Sequence, residues 1–387
     1  MTGIAREAIE DWRVLDLGII TAGAATSAVL ADFGANVIKI ESNSYQDPFR
    51  RWAGKWDLGT ALSPVFQFTN RNKRGLELDL KSDVGRECFL ELVAHSDVIV
   101  ENFRRGVLDR LGLSFEVLSK VNPQIVLASM SSQGDSGPDR KYASYGSTLD
   151  ATGGLSAITG YPGDAPVVSG RNFNYTDQLA ALVATGAIIA GVMHAKKTGK
   201  GAHLDIAQRE ITAFAVSEYI SAGALNPVAT TTLRRGNRDA AGLVQACCQA
   251  SDGKWLAITV PEESLLALCA QIDCELAHTR LDASKMTLIE GALSLYVCKH
   301  PSEKIVGDFA NIGVSIAPAL RGNEILPSGM GAVDRIFPKS SNGDYVKGSP
   351  FQQETAFSVH HEAPALGEHT EEVLQELLGR PIIQKNT

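Results

Sequence analysis

Residues 13–41 read RVLDLGIITAGAATSAVLADFGANVIKIE, and the succession of textures within them decides the fold class. Arg13–Leu17 is a short apolar run, Ala24–Phe33 is built from helix formers, and Asn36–Glu41 is rich in β-branched side chains and ends on a carboxylate. This is a strand–helix–strand unit. The pattern continues with GLELDL at 75–80, a helical stretch near 83–94, DVIVE at 97–101, further helical segments and QIVLAS at 124–129. Strands alternating with helices predict an α/β domain with a parallel, doubly wound sheet, because each helix has to carry the chain back across the sheet to a parallel start. Residues 43–73 are aromatic, basic and too long for an ordinary connection, so they read as functional or interface-forming.

After the turn-rich SSQGDSGPDR at 131–140 the chain is dense in Gly and Ala up to residue 195, and a strand at 202–206 then feeds a helix. Composition shifts near 225–245. LVQACCQASDGKWLAITV (243–260) follows as two strands joined at Ser251, Asp252 and Gly253, opening a smaller α+β domain with helices near 262–271, 285–299 and 301–310. APALGEHTEEVLQELLG (363–379) reads as one docked helix with Thr370 as N-cap and Gly379 as its stop. The division expected is 1–224 for a large domain, 225–325 for the small one, and 326–387 for a segment returning to the first.

The chain has 387 residues, enough for two or three domains at about 150 residues each. Its 36 Lys and Arg against 44 Asp and Glu leave a net charge of -8, which lacks the positive field that polyanion binding needs, so no nucleic-acid partner is expected. The start, MTGIAREAIEDW, carries both signs of charge and no apolar stretch of signal-peptide length, which gives a cytoplasmic expectation. Leu179–Ala195 is apolar but broken by Thr185, Gly186, Gly191 and His194, so it reads as a helix inside a protein core and not a membrane span. The six cysteines have no CxxC spacing and the eight histidines no HExxH pattern, so neither a disulfide framework nor a metal is expected.

In a sheet of this kind ligands bind beyond the carboxyl ends of the strands. The first such turn, GIITAGAA, holds Gly18 and Gly23 but is neither GxGxxG nor a phosphate-binding P-loop; Glu41 stands where a ribose-binding acid would, yet no NAD is expected. Arg71, Lys73, Arg74, Lys81, Arg104, Arg105 and Arg110 gather near strand ends, as a phosphate clamp or as a solvated rim. Asn102 and Phe103 offer an amide edge and an aromatic face suited to a purine, or an ordinary core position. Asp177, ahead of a small-residue helix, is either an N-cap or a carboxylate nucleophile, and the pattern alone leaves both open.

Seven stretches in order, LADFGANVIKIE, NRNKRGLELDLKS, SDVIVENFRRGVLDRLGL, NPQIVLASMSSQGDSGP, TGGLSAITGYPGDAP, KTGKGAHLDIAQRE and APALGEHTEEVLQELLG, closely resemble the family III CoA-transferases, which include formyl-CoA and carnitine CoA-transferases. The resemblance covers about residues 12–380. It implies a Rossmann-like large domain and a small domain forming a ring, two such rings interlocked as a dimer, and acyl-CoA and a small carboxylic acid as substrates. It implies Asp177 as the nucleophile; Leu78, Lys81, Asn102, Phe103, Arg110 and Lys141 as contacts to CoA; and Tyr145 as an active-site aromatic. The implied course is a mixed anhydride, then an aspartyl-CoA thioester, with water kept out and backbone amides near Gly153 and Gly154 as candidates for the oxyanion. Ala24, Thr21 and Ser42 stand where relatives carry proline, glutamine and arginine, and RDAAGLVQ (238–245) replaces a glycine-rich flap, so formyl or oxalate specificity is not implied.

Three other readings compete with this one. An α-methylacyl-CoA racemase pairs its aspartate with a histidine where this chain has Ser144 and Tyr145, and proton exchange on two faces of a carbon needs a second acid/base. A scaffold subunit of a hetero-oligomeric CoA-transferase would not need Asp177. An NAD-dependent oxidoreductase would need the missing glycine fingerprint.

Overall fold

The computed structural model describes residues 9–52, 63–168, 174–226, 234–238, 244–275, 281–326, 336–339, 343, 345–348 and 361–380. The chain divides into a larger unit, Met1–Ser156 with Val168–Ile220 and Gly331–Thr387, and a smaller one, Ala157–Val167 with Ser221–Met330. The sequence division leaves 157–167 in the large domain, whereas here Gly236 N donates to the Gly160 carbonyl at 3.1 Å and Asn237 Nδ2 to the Tyr161 hydroxyl at 3.0 Å.

The larger unit is built on β1 (Arg13–Asp16), α1 (Ala22–Asp32), β2 (Asn36–Glu41), α2 (Pro64–Asn70), β3 (Lys73–Glu77), α3 (Asp83–Ala94), β4 (Val98–Glu101), β5 (Val126–Ser131), α4 (Gly146–Thr152), α5 (Tyr175–Thr198), β6 (Ala202–Ala207) and α6 (Gln208–Ala215). Its six strands are parallel in the order β3-β2-β1-β4-β5-β6, so the order reverses between β1 and β4, where ligands of doubly wound sheets bind. Side chains alternate between two cores. Val14, Val98, Val100, Val126 and Ala128 face α1 and α5, while Leu15, Ile99 and Leu127 face Phe89 and Leu92 of α3. Covering both faces explains why β4 and β5 are buried along their whole length.

Two expectations shift. β3 begins at Lys73, not residue 75, and ends at Glu77; α2 lies inside the 43–73 stretch read as a long functional or interface-forming connection. Charged residues entering a core were invisible to an apolar-run criterion: Lys73 is buried against Asp16 at 2.8 Å, and Arg71 pairs bidentately with buried Asp32, its Nε at 3.0 Å. Thr370 does not cap the last described helix, α10 (Thr370–Leu378), whose cap position is His369. Its hydroxyl accepts from Glu77 N at 2.9 Å while His369 Nδ1 accepts from Gly75 N at 3.1 Å, closing the outer edge of β3.

In the smaller unit β7 (Val244–Gln249), β8 (Trp255–Val260) and β9 (Ser315–Pro318) form an antiparallel sheet against α7 (Leu265–Gln271), α8 (Ala283–Val297) and α9 (Ser302–Asn311), around Leu256, Ile258, Ile289, Leu293 and Phe309. The hairpin turn at 251–253 is as expected, with Gly253 at φ 82°. β9 is an addition. Its exposed, proline-terminated edge carries little apolar signal.

Burial pushes the Asp32 carboxyl above its usual range even with Arg71 beside it. Arg71→Met should therefore cost about 3–5 kcal/mol at pH 7 by leaving a buried carboxylate without its cation. The cost should shrink in urea titrations as the pH is lowered to 5, because protonation of Asp32, favoured further once Arg71 is gone, removes the unpaired charge; equal costs at both pH values would remove the pair from the account.

Candidate active site

α5 opens with Tyr175, Thr176 and Asp177 after the cap residue Asn174, so Asp177 lies in the first turn and is not the cap. Asp177 is 8 % exposed, and its carboxyl accepts a hydrogen bond from the Asn174 side chain. Burial, reinforced by the nearby Asp150 and opposed by Asn174, holds its pKa at about 6. At neutral pH the carboxylate is ionised, poorly solvated and more basic than an ordinary aspartate.

Three elements frame it. Asp150, on α4, is 1 % exposed and accepts from the Thr176 hydroxyl, which lies 3.0 Å from Thr212 Oγ1 on α6. Gly146, the first residue of α4, allows close approach: a Cβ there would fall 2.5 Å from Asn174 Cγ. From the C-terminal part of the chain Lys347 Nζ donates to Gln178 Oε1 at 3.0 Å, and burial and Arg71 depress its pKa. Asp150, Thr212 and Lys347 escaped sequence reading because they reach the site only through tertiary packing, and Asn174 and Thr176, though beside Asp177 in the chain, carry no pattern that marks them.

α1 sets the remaining side. α1 and α5 both run from the carboxyl to the amino edge of the sheet, since each leads toward the start of a strand, β2 or β6. Thr26 Oγ1 lies 3.5 Å from the Ala181 carbonyl, so Ala22 and Asp177, each one turn earlier, stand at the same level.

The residues expected to hold CoA fall at the carboxyl edge in two groups. Leu78 and Lys81 follow β3, Leu78 buried and Lys81 exposed. Asn102, Phe103 and Arg110 follow β4; Phe103 meets Tyr45 edge-on at 5.9 Å and Arg110 is exposed. Lys141 is exposed, and Tyr145, 76 % exposed, caps α4 beside Gly146. Among the described residues Lys81, Arg110 and Lys141 form no ion pair. Asn102 is committed elsewhere: Oδ1 accepts from Ile19 N at 2.8 Å and Nδ2 donates to the Ile19 carbonyl at 2.9 Å.

Other candidates are corrected. Arg71, Lys73, Arg74 and Arg105 are neither clamp nor solvated rim, being engaged by Asp32, Asp16, Glu372 with Glu376, and Asp205 respectively. Glu41 takes Arg50 Nε at 2.9 Å and Asp47 N at 2.8 Å, which occupies the carboxylate that a ribose would need. Gly153 N donates to the Leu149 carbonyl at 2.8 Å and Gly154 N to Ala151 at 3.4 Å, so these amides serve the end of α4 and do not await an oxyanion. Of the RDAAGLVQ stretch, residues 239–243 lie outside the described residues.

A family model described as "CoA-transferase family III" matches residues 9–370. The beta subunit of succinyl-CoA–L-malate CoA-transferase from Chloroflexus aurantiacus is 29% identical over 405 residues, covering 95% of this chain and 93% of its own. Acetyl-CoA:oxalate CoA-transferase from Acetobacter aceti is 29% identical over 360 residues, covering 91% and 90%. A crystal structure of a CAIB/BAIF family protein from Brucella suis superposes with a TM-score of 0.84 at 25% identity, covering 95% of this chain and 98% of that one. A full-length match on an α/β fold with an aspartate buried at the start of its small-residue helix leads to one assignment: the chain belongs to the family III CoA-transferases, enzymes that act on CoA thioesters.

Proposed function

We propose that the enzyme moves CoA from an acyl-CoA donor to a small carboxylic acid through covalent bonds to Asp177. The observation that carries this is the buried Asp177 carboxylate, with its pKa at about 6 and its position at the opening of α5. An Asp177 oxygen attacks the donor carbonyl, the C–S bond breaks, and CoA leaves as a thiolate from the resulting mixed anhydride. The thiolate then attacks the Asp177 carbonyl, giving an aspartyl-CoA thioester and the free donor acid. An acceptor carboxylate attacks the aspartyl thioester carbonyl, expelling CoA thiolate and leaving a second mixed anhydride, and the thiolate then attacks the acceptor carbonyl of that anhydride, giving the acceptor's CoA thioester and restoring the Asp177 carboxylate. One thioester is broken and one is made, so the bond's free energy is kept provided that water stays out. The names of the relatives, which pair succinyl-CoA with malate and acetyl-CoA with oxalate, favour small dicarboxylic acids as the first substrates to try.

Lys81, Arg110 and Lys141 are suited to the phosphates of CoA as exposed cations without ion-pair partners among the described residues, and Phe103, packed on the apolar cluster that includes Leu78, to its adenine. Tyr145, exposed beside the Gly146 that approaches Asn174, is proposed as the aromatic side chain at the mouth of the Asp177 site. A racemase reading finds no support at 144–145, where Ser144 and Tyr145 supply no histidine.

The enzyme is further proposed to be an intimate dimer, a homodimer or a pair with a related subunit. α5 is apolar on most sides, yet Leu182, Val183 and Met193 are exposed, as are Phe214 and Ile220 nearby in sequence. Exposed apolar area of this kind is characteristic of interfaces. A monomer in light scattering at micromolar concentration would sink the dimer.

Lys81→Ala and Arg110→Ala should each weaken CoA binding about tenfold at low salt and less at high salt, since a charged contact to phosphate is worth about 1–2 kcal/mol and is screened. Unchanged affinity in calorimetry at both salt levels would move the CoA elsewhere.

Asp177→Asn should abolish transfer while leaving CoA binding intact, and wild-type activity should fall as pH drops through about 6. Its stability effect has a definite sign. Because the folded pKa lies above 3.8, the native state favours the protonated carboxyl; that contribution is complete below pH 3.8 and lost as pH rises through about 6. Asn should therefore raise thermal stability at pH 8, by up to about 3 kcal/mol, and have little effect at pH 4. An active Asp177→Asn enzyme, shown by mass spectrometry not to have deamidated, would end the nucleophile reading.

A further inference from the structure

The turn that joins β1 to α1 adopts a conformation its residues do not favour. Ile20 sits at φ 60°, a region that β-branched side chains avoid and that persists only where the surroundings over-determine it. Here they do. Gly18 N donates to Asp16 Oδ1 at 2.8 Å, Lys39 Nζ to the Gly18 carbonyl, Ile19 N to Asn102 Oδ1 at 2.8 Å, Asn102 Nδ2 to the Ile19 carbonyl at 2.9 Å, and Ile20 N to Asp47 Oδ1 at 3.1 Å. Every backbone polar group from Gly18 N to Ile20 N is thereby held by a side chain from β1, β2, the residues after β2 or the end of β4. Behind them Lys39 meets Asp47 at 3.3 Å and Lys73 meets Asp16 at 2.8 Å, all four side chains fully buried.

The same turn runs into Thr21 and Ala22, which stand level with Asp177 through the contact of Thr26 with Ala181. Gly23 leaves no room for error: a Cβ there would come within 2.7 Å of Asn102 Oδ1 and 2.8 Å of Gly18 Cα.

We propose that Asn102, backed by Asp16, Lys39 and Asp47, is a positioning residue for the reaction at Asp177, locking the Gly18–Thr21 turn as a wall of the reacting centre. This rests on the reading of Asp177 as nucleophile. It departs from a direct contact between the Asn102 carboxamide and CoA, because both ends of that carboxamide are already taken by Ile19.

The test uses the full chain with succinyl-CoA and a dicarboxylic acid that the wild type turns over. Asn102→Ala and Gly23→Ala should each lower kcat about 10- to 100-fold, the penalty of a small misplacement, with KM for succinyl-CoA and Kd for CoA within about twofold of wild type. Asn102→Asp, which keeps the acceptor for Ile19 N and loses the donor, should fall between. If Asn102→Ala does not fold, Gly23→Ala and Asn102→Asp decide. A rise in KM and Kd at unchanged kcat would make Asn102 a CoA ligand and overturn the proposal; unchanged kcat, KM and Kd would overturn it as well. Mass spectrometry of a quenched reaction separates this from the underlying reading. An adduct on Asp177 that forms in wild type and more slowly in Asn102→Ala supports positioning, one formed equally fast in both overturns it, and the absence of any adduct on wild-type Asp177 defeats the nucleophile reading itself.

Discussion

The ion pair between Lys73 and Asp16 is the constraint on which much of the larger unit depends. It spans from β3 to β1, with β2 between them, and Lys39 of β2 supplies the second cation of the layer. Burial pulls the Lys73 pKa down to about 8, with Asp16 working against the loss of its proton. For Lys39 burial acts in the same direction, but Asp16, Asp47 and Glu41 outweigh it and its pKa is raised. Two cations and two carboxylates beside an apolar sheet are expensive to desolvate, and apolar side chains would serve stability as well or better. What they supply instead is direction, because charged groups fix the orientation of the backbone they touch more narrowly than packed hydrocarbon does.

A division of labour follows for the polar residues at the carboxyl edge. Some look inward and hold loops: Asp16, Asp47, Asn102 and Glu41, the last with Arg50. Others look outward and, among the described residues, have no ion-pair partner: Lys81, Arg110 and Lys141. Asp177 belongs to neither group, since it is buried and, among the described residues, forms no ion pair, the combination on which its proposed role as nucleophile rests.

How much of this could be read beforehand depended on how local the cause was. Residues 13–41 declared a strand, a helix and a strand because periodicity acts over a few residues, and the parallel sheet followed from repetition. β3 was misplaced by two residues and β9 was missed, the first because Arg71 and Lys73 carry charge into the core, the second because an exposed edge ending in Pro318 has no apolar rhythm. Asp177 was visible as one of two possibilities, and only resemblance to a family chose between them. The side chains around it were not legible at all, since Asp150 and Thr212 meet Thr176 across some 26 and 36 residues of chain.

The closure of the β3 edge by His369 and Thr370 has a consequence for biogenesis. All six strands of the large sheet have been made once Ala207 is joined, yet the groups that occupy the free amides of Gly75 and Glu77 come from near residue 370. A nascent chain can thus complete its sheet while one margin stays open to pairing with another chain, a condition that favours aggregation. Translation that stalls within the smaller unit would release a sheet of that kind, so the final helix acts as a late seal as well as a structural element.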